Sequence, residues 1–501
     1  MPLTKAITSY GTAIGAALSD CTVFRGIPYA KAARFFPPER PDPWQGERVF
    51  DAFSPIFPQN QPEPGMPFSD FFIKEFYPEH KLMSEDAHCL NIWTPAKHAD
   101  EMLPVMVWFH GGGMGSGYGH ELEFDGEAIA KRGVLLVTIN YRLGCFGYFS
   151  HPELAKRIPG GVGGNNAIKD QQAALRWVQE NIAAFGGDPK NVTIFGQSAG
   201  GGSVCSHLVS PLSRGLFARG IIQSGFGGIS NYATKTLADT DTWGEKACEY
   251  LGKTLDELLS MPTLELHEAF NRVERTLGQI PRQVQDGVVF PEAPGIQIKQ
   301  GIPGDMPIMI GSVSGDGGLR GEGREAVLAE LRHRYGDRTE EFLAKFDPDD
   351  PKSAGVYKAV ARSVHWADTL AFCVRYNSKN PVWLYYFDPV LPGHNESNFV
   401  PDGVAFHSAE LWYMFGTLDR CWRPFDEKHH RLSDLMIDYW TNFAKNGDPN
   451  GLASDGTQLP SWPRYTQQTY TTQVFTEAGA ENQQFMDDDV WPLIAFDVFA
   501  G

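Results

Sequence analysis

The chain runs to 501 residues, 42% of them hydrophobic and 12% aromatic, which supplies a large core and excludes a disordered or fibrous protein. Its 43 Lys and Arg against 61 Asp and Glu leave a formal net charge of -18 with no basic cluster, so neither nucleic acid nor an anionic membrane is an expected partner. No apolar run approaches the roughly 18 residues that a spanning helix requires.

The N-terminal stretch "MPLTKAITSYGTAIGAALSDCTVF" holds one lysine and a short alanine-rich run broken by glycine, a poor export signal. Seven cysteines (Cys21, Cys89, Cys145, Cys205, Cys248, Cys373 and Cys421) stand singly with no C-x-x-C pair, which argues against a disulfide framework or a zinc site. Free buried thiols, no metal and a cytoplasmic location are the expectations. Proline-rich "FSPIFPQNQPEPGMPF", Phe53 to Phe68, reads as a surface loop. With no internal repeat and no low-complexity linker, residues 1–501 are expected to form one domain.

Short apolar runs rich in Val, Ile and aromatics then recur: "LPVMVWFH" (Leu103–His110), "VLLVTINYR" (Val134–Arg142), "NVTIFG" (Asn191–Gly196), "GIIQSG" (Gly220–Gly225), "MPIMIGSV" (Met306–Val313) and "PVWLYYFD" (Pro381–Asp388). Each has the length of a parallel strand buried on both faces. Between the second and third, Ile168, Ala174, Leu175, Val178 and Ile182 repeat at helical spacing and end in Gly186–Gly187 before Asp188–Pro189, an amphipathic helix. Strands alternating with helices predict an α/β protein with helices on both faces of the sheet.

Three of these strands end in residues with chemical potential. "FHGGGMGSGYG" follows the first, and its glycines let the N–H groups of Gly112 and Gly113 point at one spot. It contains no G-x-G-x-x-G, and "VLLVTIN" lacks an acidic ribose ligand, so a nucleotide-phosphate loop is disfavoured. After the third strand, Gly196, Ser198 and Gly200 form G-x-S-x-G before a helix-like run. That is the setting of a nucleophile elbow, in which Ala199 adds a third oxyanion donor. Such a serine needs an acid and a histidine downstream. Asp316, beyond "PIMIGSV", and Asp388, at the end of "VWLYYFD", both end a strand, and sequence order does not decide between them. Of the histidines, His429 and His430 sit in "DEKHHRLSD" and read as a solvated helix face, and His394 as a loop residue. His407, in "DGVAFHSAELWYMFG", stands between a loop and an apolar helix start and is the expected base.

With these residues in hand the chain resembles the type-B carboxylesterase family, the cholinesterase-like group that includes bacterial para-nitrobenzyl esterases. "FRGIPYA", "SED", "LNIWTP", "HGGG", "NYRLG", "GGDPKNVTIFGQSAGG" and "YWTNFAKNGDPN" stand in that family's order over nearly the whole length. The resemblance implies an α/β-hydrolase fold, a mostly parallel sheet with helices on both faces and insertions roofing the site. It implies a serine esterase acting on a small-molecule ester through an acyl-enzyme, with no cofactor. It selects Asp316 as the acid, where the family usually has glutamate, and matches His407 with Glu410 as a supporting carboxylate. Gln197 stands where glutamate is usual, removing a negative charge close to the histidine, a change that lowers the base's expected pKa if nothing compensates. Phe57 and Ala87 occupy the places of the family's first disulfide. Arg25 with Glu85, and Arg142 with Asp170, match buried ion pairs. Met114, Phe226, Trp412 and Tyr413 are expected in the pocket wall by analogy, where aromatic and Met lining would suit an apolar or aromatic acyl group.

Two alternatives remain at this level. Feruloyl, cinnamoyl or carbamate substrates fit the same residues as simple esters. The fold also includes adhesion proteins that have lost the nucleophile, against which all three triad positions here carry usable residues.

Overall fold

The computed structural model of the chain describes residues 2–225, 235–316, 324–361, 370–372, 374–375, 378–394, 396–400, 402–466, 468–485 and 489–499. Its centre is an 11-stranded sheet built from β3 (Ala16–Ala17), β4 (Thr22–Pro28), β6 (Cys89–Thr94), β7 (Leu103–Phe109), β8 (Leu135–Ile139), β9 (Gly187–Gln197), β10 (Arg219–Gln223), β11 (Ile308–Val313), β12 (Val382–Phe387), β13 (Thr471–Thr476) and β14 (Gly479–Gln484). The spatial order is β14-β13-β12-β11-β10-β9-β7-β8-β6-β4-β3. From β13 to β8 every pairing is parallel, and the ends of the sheet are antiparallel. A small sheet of β1 (Lys5–Thr8), β2 (Gly11–Ile14) and β5 (Glu47–Val49) stands apart from it.

The six apolar runs read from the sequence are β7 to β12. Their side chains alternate between two cores, as the two-residue period of a strand requires. Val105, Val107, Ile194, Ile222, Ile310 and Leu384 enter one core, which also holds Ala174, Leu175 and Val178 of the helix Asn166–Asn181. Met106, Trp108, Phe195, Ile221, Met309 and Trp383 enter the other, against Leu432, Met436, Trp440 and Phe443 of the helix Glu427–Asn446. Helices on both faces leave no strand face wet, which is why these strands lack polar alternation.

Parallel strands put their C-terminal ends on one side of the sheet. The segments holding Gly112, Ser198 and Asp316 follow β7, β9 and β11, so the fold gathers there what lies more than 200 residues apart in sequence. Crevices outside the carboxyl ends of strands are the usual ligand sites of open α/β sheets.

Two polar contacts brace this arrangement. Asp170 receives Nε and Nη2 of Arg142 at 2.8 and 2.7 Å and faces Nε2 of His88 at 3.2 Å, an ion pair in the place the sequence suggested. The other expected pair is not formed. Nη1 of Arg25 donates to the carbonyl of Asp51 and its guanidinium lies over Phe53. Glu85 is held instead by Nε of Arg34 at 3.1 and 3.0 Å, and Nη1 of Arg34 also caps the carbonyls of Leu258 and Met261. The rigid fork of Arg34 can satisfy a carboxylate and a helix end at once, which Arg25 on its strand cannot.

Candidate active site

Ser198 follows β9 at φ 56 and ψ -123, a backbone conformation that a residue with a Cβ holds only at a cost of about 1–3 kcal/mol. The turn is pinned on both sides: its N–H donates to Gln223 of β10 at 2.8 Å, and its carbonyl accepts from Gly202 in the helix Ala199–Val209 at 2.9 Å. The flanking glycines are demanded by packing. A Cβ on Gly200 would stand 1.9 Å from the carbonyl oxygen of Phe109, and one on Gly196 would stand 2.5 Å from the backbone of Gly200. Strand and helix therefore touch backbone to backbone, and the serine side chain is left on the cavity wall.

Opposite the elbow, Gly112 and Gly113 have φ 98 and 60. The carbonyl of Gly112 turns back to accept from the N–H groups of Gly115 and Ser116, both at 3.0 Å. Arg282 donates to the carbonyl of Gly113. Both carbonyls are thereby engaged, and the N–H groups of Gly112 and Gly113 make no hydrogen bond among the described residues. Ala199 is the first residue of its helix, so its N–H has no partner within the helix.

Nδ1 of His407 contacts Oδ1 of Asp316 directly. The other oxygen of Asp316 accepts from the N–H of Val313 at 3.1 Å, and Gly315 donates to Ala405 at 2.8 Å, so the acid turn and the histidine loop are tied together. Asp388 is exposed, its N–H bonded to Phe475 of β13; of the two strand-end acids it is Asp316 that meets the histidine. The His407 side chain is 46% exposed to the cavity. Burial pulls its pKa down, but the charge and hydrogen bond of Asp316, with the charge of Glu410, outweigh that and leave it raised. Asp316 and Glu410 thus supply the negative charge that Gln197 does not. Glu410 is fully buried, and burial first, then the charge of Asp316, pushes it up to about 8.

Gln197 lies against the ring, with Nε2 at 3.3 Å from His407 Nε2 and Oε1 accepting from Ser408 at 3.1 Å. An uncharged amide can donate to the imidazole where a carboxylate would hold a proton on it. The expected solvated face does not hold for His429, which is buried with Nδ1 at 2.8 Å from the Tyr413 hydroxyl, whereas His430 is half-buried beside Asp419 and His394 exposed beside Asp402.

A cavity of about 730 Å³ opens in front of Ser198 and His407. Of the four expected wall residues, three lie in the core and the fourth is outside the described residues. Met114 is buried in the core with φ 59, its methyl facing Gly202. Trp412 is buried beneath the wall, stacked on Phe76 at 5.9 Å, and Tyr413 packs on Phe387 and Phe425, also in the core. Phe226 lies outside the described residues. The walls come instead from the loop Gln59–Glu63, from Phe68, Phe72 and Phe76 in and after the helix Pro67–Glu75, and from Tyr118, Phe124 and Leu411. The phenylalanine-rich "PFSDFFIKEF", Pro67–Phe76, was the available signal, and only its first two residues fall in the stretch read as a surface loop.

An elbow serine, a paired acid and histidine, and glycine N–H groups on one cavity can run acyl transfer through a tetrahedral intermediate. Residues 4–490 match the model of the Carboxylesterase family.

The chain belongs to that family.

It is 31% identical to the para-nitrobenzyl esterase of Bacillus subtilis (strain 168) over 503 residues, covering 95% of each chain. It is 35% identical to the pyrethroid hydrolase Ces2e of Rattus norvegicus, covering 95% of this chain and 83% of the relative. A solved thermophilic para-nitrobenzyl esterase superposes with a TM-score of 0.80 at 28% identity, covering 98% of this chain and 99% of the other. The carboxylesterase has the α/β-hydrolase fold and hydrolyses carboxylic esters. No helix among its described residues is long and apolar enough to cross a membrane.

Proposed function

We propose that Ser198 is the nucleophile of this carboxylesterase, His407 its general base and acid, and Asp316 the group that orients the imidazole, with Gly112, Gly113 and Ala199 as oxyanion donors. The observation that carries this reading is the contact of His407 Nδ1 with Asp316 on the cavity that also exposes the strained Ser198 turn.

With Nδ1–H held by Asp316, Nε2 keeps a lone pair for the serine proton. Ser198 Oγ attacks the ester carbonyl as that proton moves to Nε2. The carbonyl oxygen, now negative, takes hydrogen bonds from the three N–H groups. His407 returns the proton to the departing alcohol, and water then repeats the sequence on the acyl-enzyme. The Gln197 amide near Nε2 has to yield its contact as the serine proton arrives.

The same reading keeps the protein in a reducing, cytoplasmic setting and as a single domain. Its support is that Phe57 and Ala87 are both buried in the main core and that Cys21, Cys89, Cys145, Cys205, Cys248 and Cys421 are free; Cys373 lies outside the described residues.

The test is labelling by a fluorophosphonate probe. Ser198 is the expected site, and Ser198→Ala should abolish both labelling and para-nitrophenyl ester turnover. Labelling of another serine, with turnover surviving in Ser198→Ala, would reject the assignment.

A further inference from the structure

The cavity has an acidic corner that the acyl-transfer steps leave unused. It is formed by "GYGHELEFDG", Gly117–Gly126, where a turn closed by Phe124 N–H to the Glu121 carbonyl at 3.0 Å brings Glu121 and Glu123 together. Leu122 between them packs against the core. Both carboxyls line the cavity, although Glu121 is only 6% and Glu123 only 1% exposed.

Neighbouring acids are neutralised. Glu75 meets Arg423 at 3.0 Å, Asp125 meets Arg420 at 2.8 Å, and Glu79 meets Lys81 at 3.1 Å. Glu121 and Glu123 have no such cation among the described residues. Glu121 accepts from the N–H of Tyr118 at 2.9 Å and bonds to the Tyr77 hydroxyl and to Glu123. Oε2 of Glu123 is buried with no hydrogen-bond donor among the described residues, a costly condition for a carboxylate oxygen.

Burial pushes Glu121 up to about 7, and burial with the charge of Glu121 pushes Glu123 well above the usual carboxylate range. Two carboxyls so placed resist ionising together. The pair presents acidic groups with one unfilled acceptor. Around it stand Phe72, Phe76, Tyr77, Tyr118 and Phe124, whose ring faces attract cations. Glu63 adds negative charge to the described walls, against Arg275 as their one lysine or arginine.

We propose that Glu121 and Glu123 form a subsite for a protonated amine, so that the enzyme prefers esters bearing an ammonium N–H to neutral esters of the same shape. The proposal rests on the reading of Ser198 as nucleophile, since it makes this cavity the one where ester binds. An N–H is specified because Oε2 of Glu123 needs a donor. A quaternary ammonium offers charge and ring contact but no hydrogen bond.

The test compares matched esters at neutral pH. On the acyl side these are the 4-nitrophenyl esters of 6-(dimethylamino)hexanoic acid, its trimethylammonium analogue and neutral 7-methyloctanoic acid. On the alcohol side they are 3-(dimethylamino)propyl benzoate and 4-methylpentyl benzoate. In one arm, kcat/KM for the tertiary ammonium ester should exceed that for its neutral match by about tenfold or more, the scale of a charge-assisted hydrogen bond. The arm that responds tells which half of the ester enters the corner, and the quaternary ester should fall between. In Glu121→Gln/Glu123→Gln the ratio should fall toward one. A ratio does not depend on how much variant folds. A wild-type ratio within about threefold of one in both arms, or a ratio unchanged in the double variant, overturns the subsite. Failure of the nucleophile reading shows separately, as neutral-ester turnover surviving in Ser198→Ala.

Discussion

Restoring a charge at position 197 should move the acid limb of the pH profile upward. In Gln197→Glu a carboxylate replaces an amide that lies 3.3 Å from Nε2 and 3.5 Å from Nδ1 of His407. At about 4 Å and an effective dielectric constant near 20, a unit charge is worth about 4 kcal/mol to the imidazolium. Two features reduce that figure. The ring is 46% exposed, so solvent screens it, and residue 197 is 1% exposed, so part of the gain is lost in desolvating the new carboxylate. The Ser408 hydroxyl, already donating to Oε1 at 3.1 Å, offsets some of the latter. About 1–2 kcal/mol remains, or roughly one pKa unit. His407 must be neutral to accept the serine proton, so a higher pKa confines activity to higher pH. The acid limb of kcat/KM should shift up by roughly one unit, while the plateau above it changes less. Gln197→Met, which removes the amide without adding charge, should not shift the limb upward. A limb that stays put or moves down in Gln197→Glu would refute the electrostatic argument.

Asp316→Asn should cut kcat by about 10³ to 10⁴ while the protein stays folded, because the amide favours the wrong imidazole tautomer. Asp388→Asn should cost far less, since Asp388 is exposed and bonded to β13; stopped assays on both variants decide, and the reverse ranking would displace Asp316. Gly200→Ala should destabilise the fold by about 3 kcal/mol or more, because its Cβ would meet the Phe109 carbonyl at 1.9 Å. Gly202→Ala, two residues along the same helix with only the Met114 methyl at 3.7 Å, should be neutral or stabilising by up to about 1 kcal/mol; denaturant midpoints read both.

What the sequence disclosed follows burial. Strands β7 to β12 were legible because both faces of each are covered, so their apolar runs are continuous. The flanking strands were not read. In β4 the run is interrupted by Arg25 and Gly26, and its pairing with β6 shifts register between Phe24 and Ile27. In β14, "GAENQQ", the side chains are half-buried or exposed, so no apolar signal exists. Such edge strands are set by the neighbours they pair with, which a local window does not contain.

Within the site the same distinction separates what is local from what is not. The Ser198 turn and the Gly112–Gly113 loop are written in consecutive residues, because a positive φ and a close backbone approach select glycine wherever they occur. The acid is a matter of sheet order. Asp316 and Asp388 both follow parallel strands, but β11 adjoins β10 whereas β12 lies one strand further from β9, and it is the turn after β11 that Gly315 ties to the histidine loop. Family resemblance selected Asp316 where spacing did not. The wall residues show the opposite failure, in which nearness along the chain was taken for nearness in space. A helix rotates about 100° per residue, so in the helix Glu410–Met414 only Leu411 reaches the cavity, while Glu410 lies behind Asp316 and Trp412 and Tyr413 fall into the core. Met114 leaves the glycine loop at φ 59 and goes inward. The cavity is therefore shaped by segments that no catalytic motif touches, the aromatic helix Pro67–Glu75 and the acidic turn at Glu121–Phe124. These segments line the cavity, and they can change without disturbing the strands that hold Ser198, Asp316 and the glycine loop.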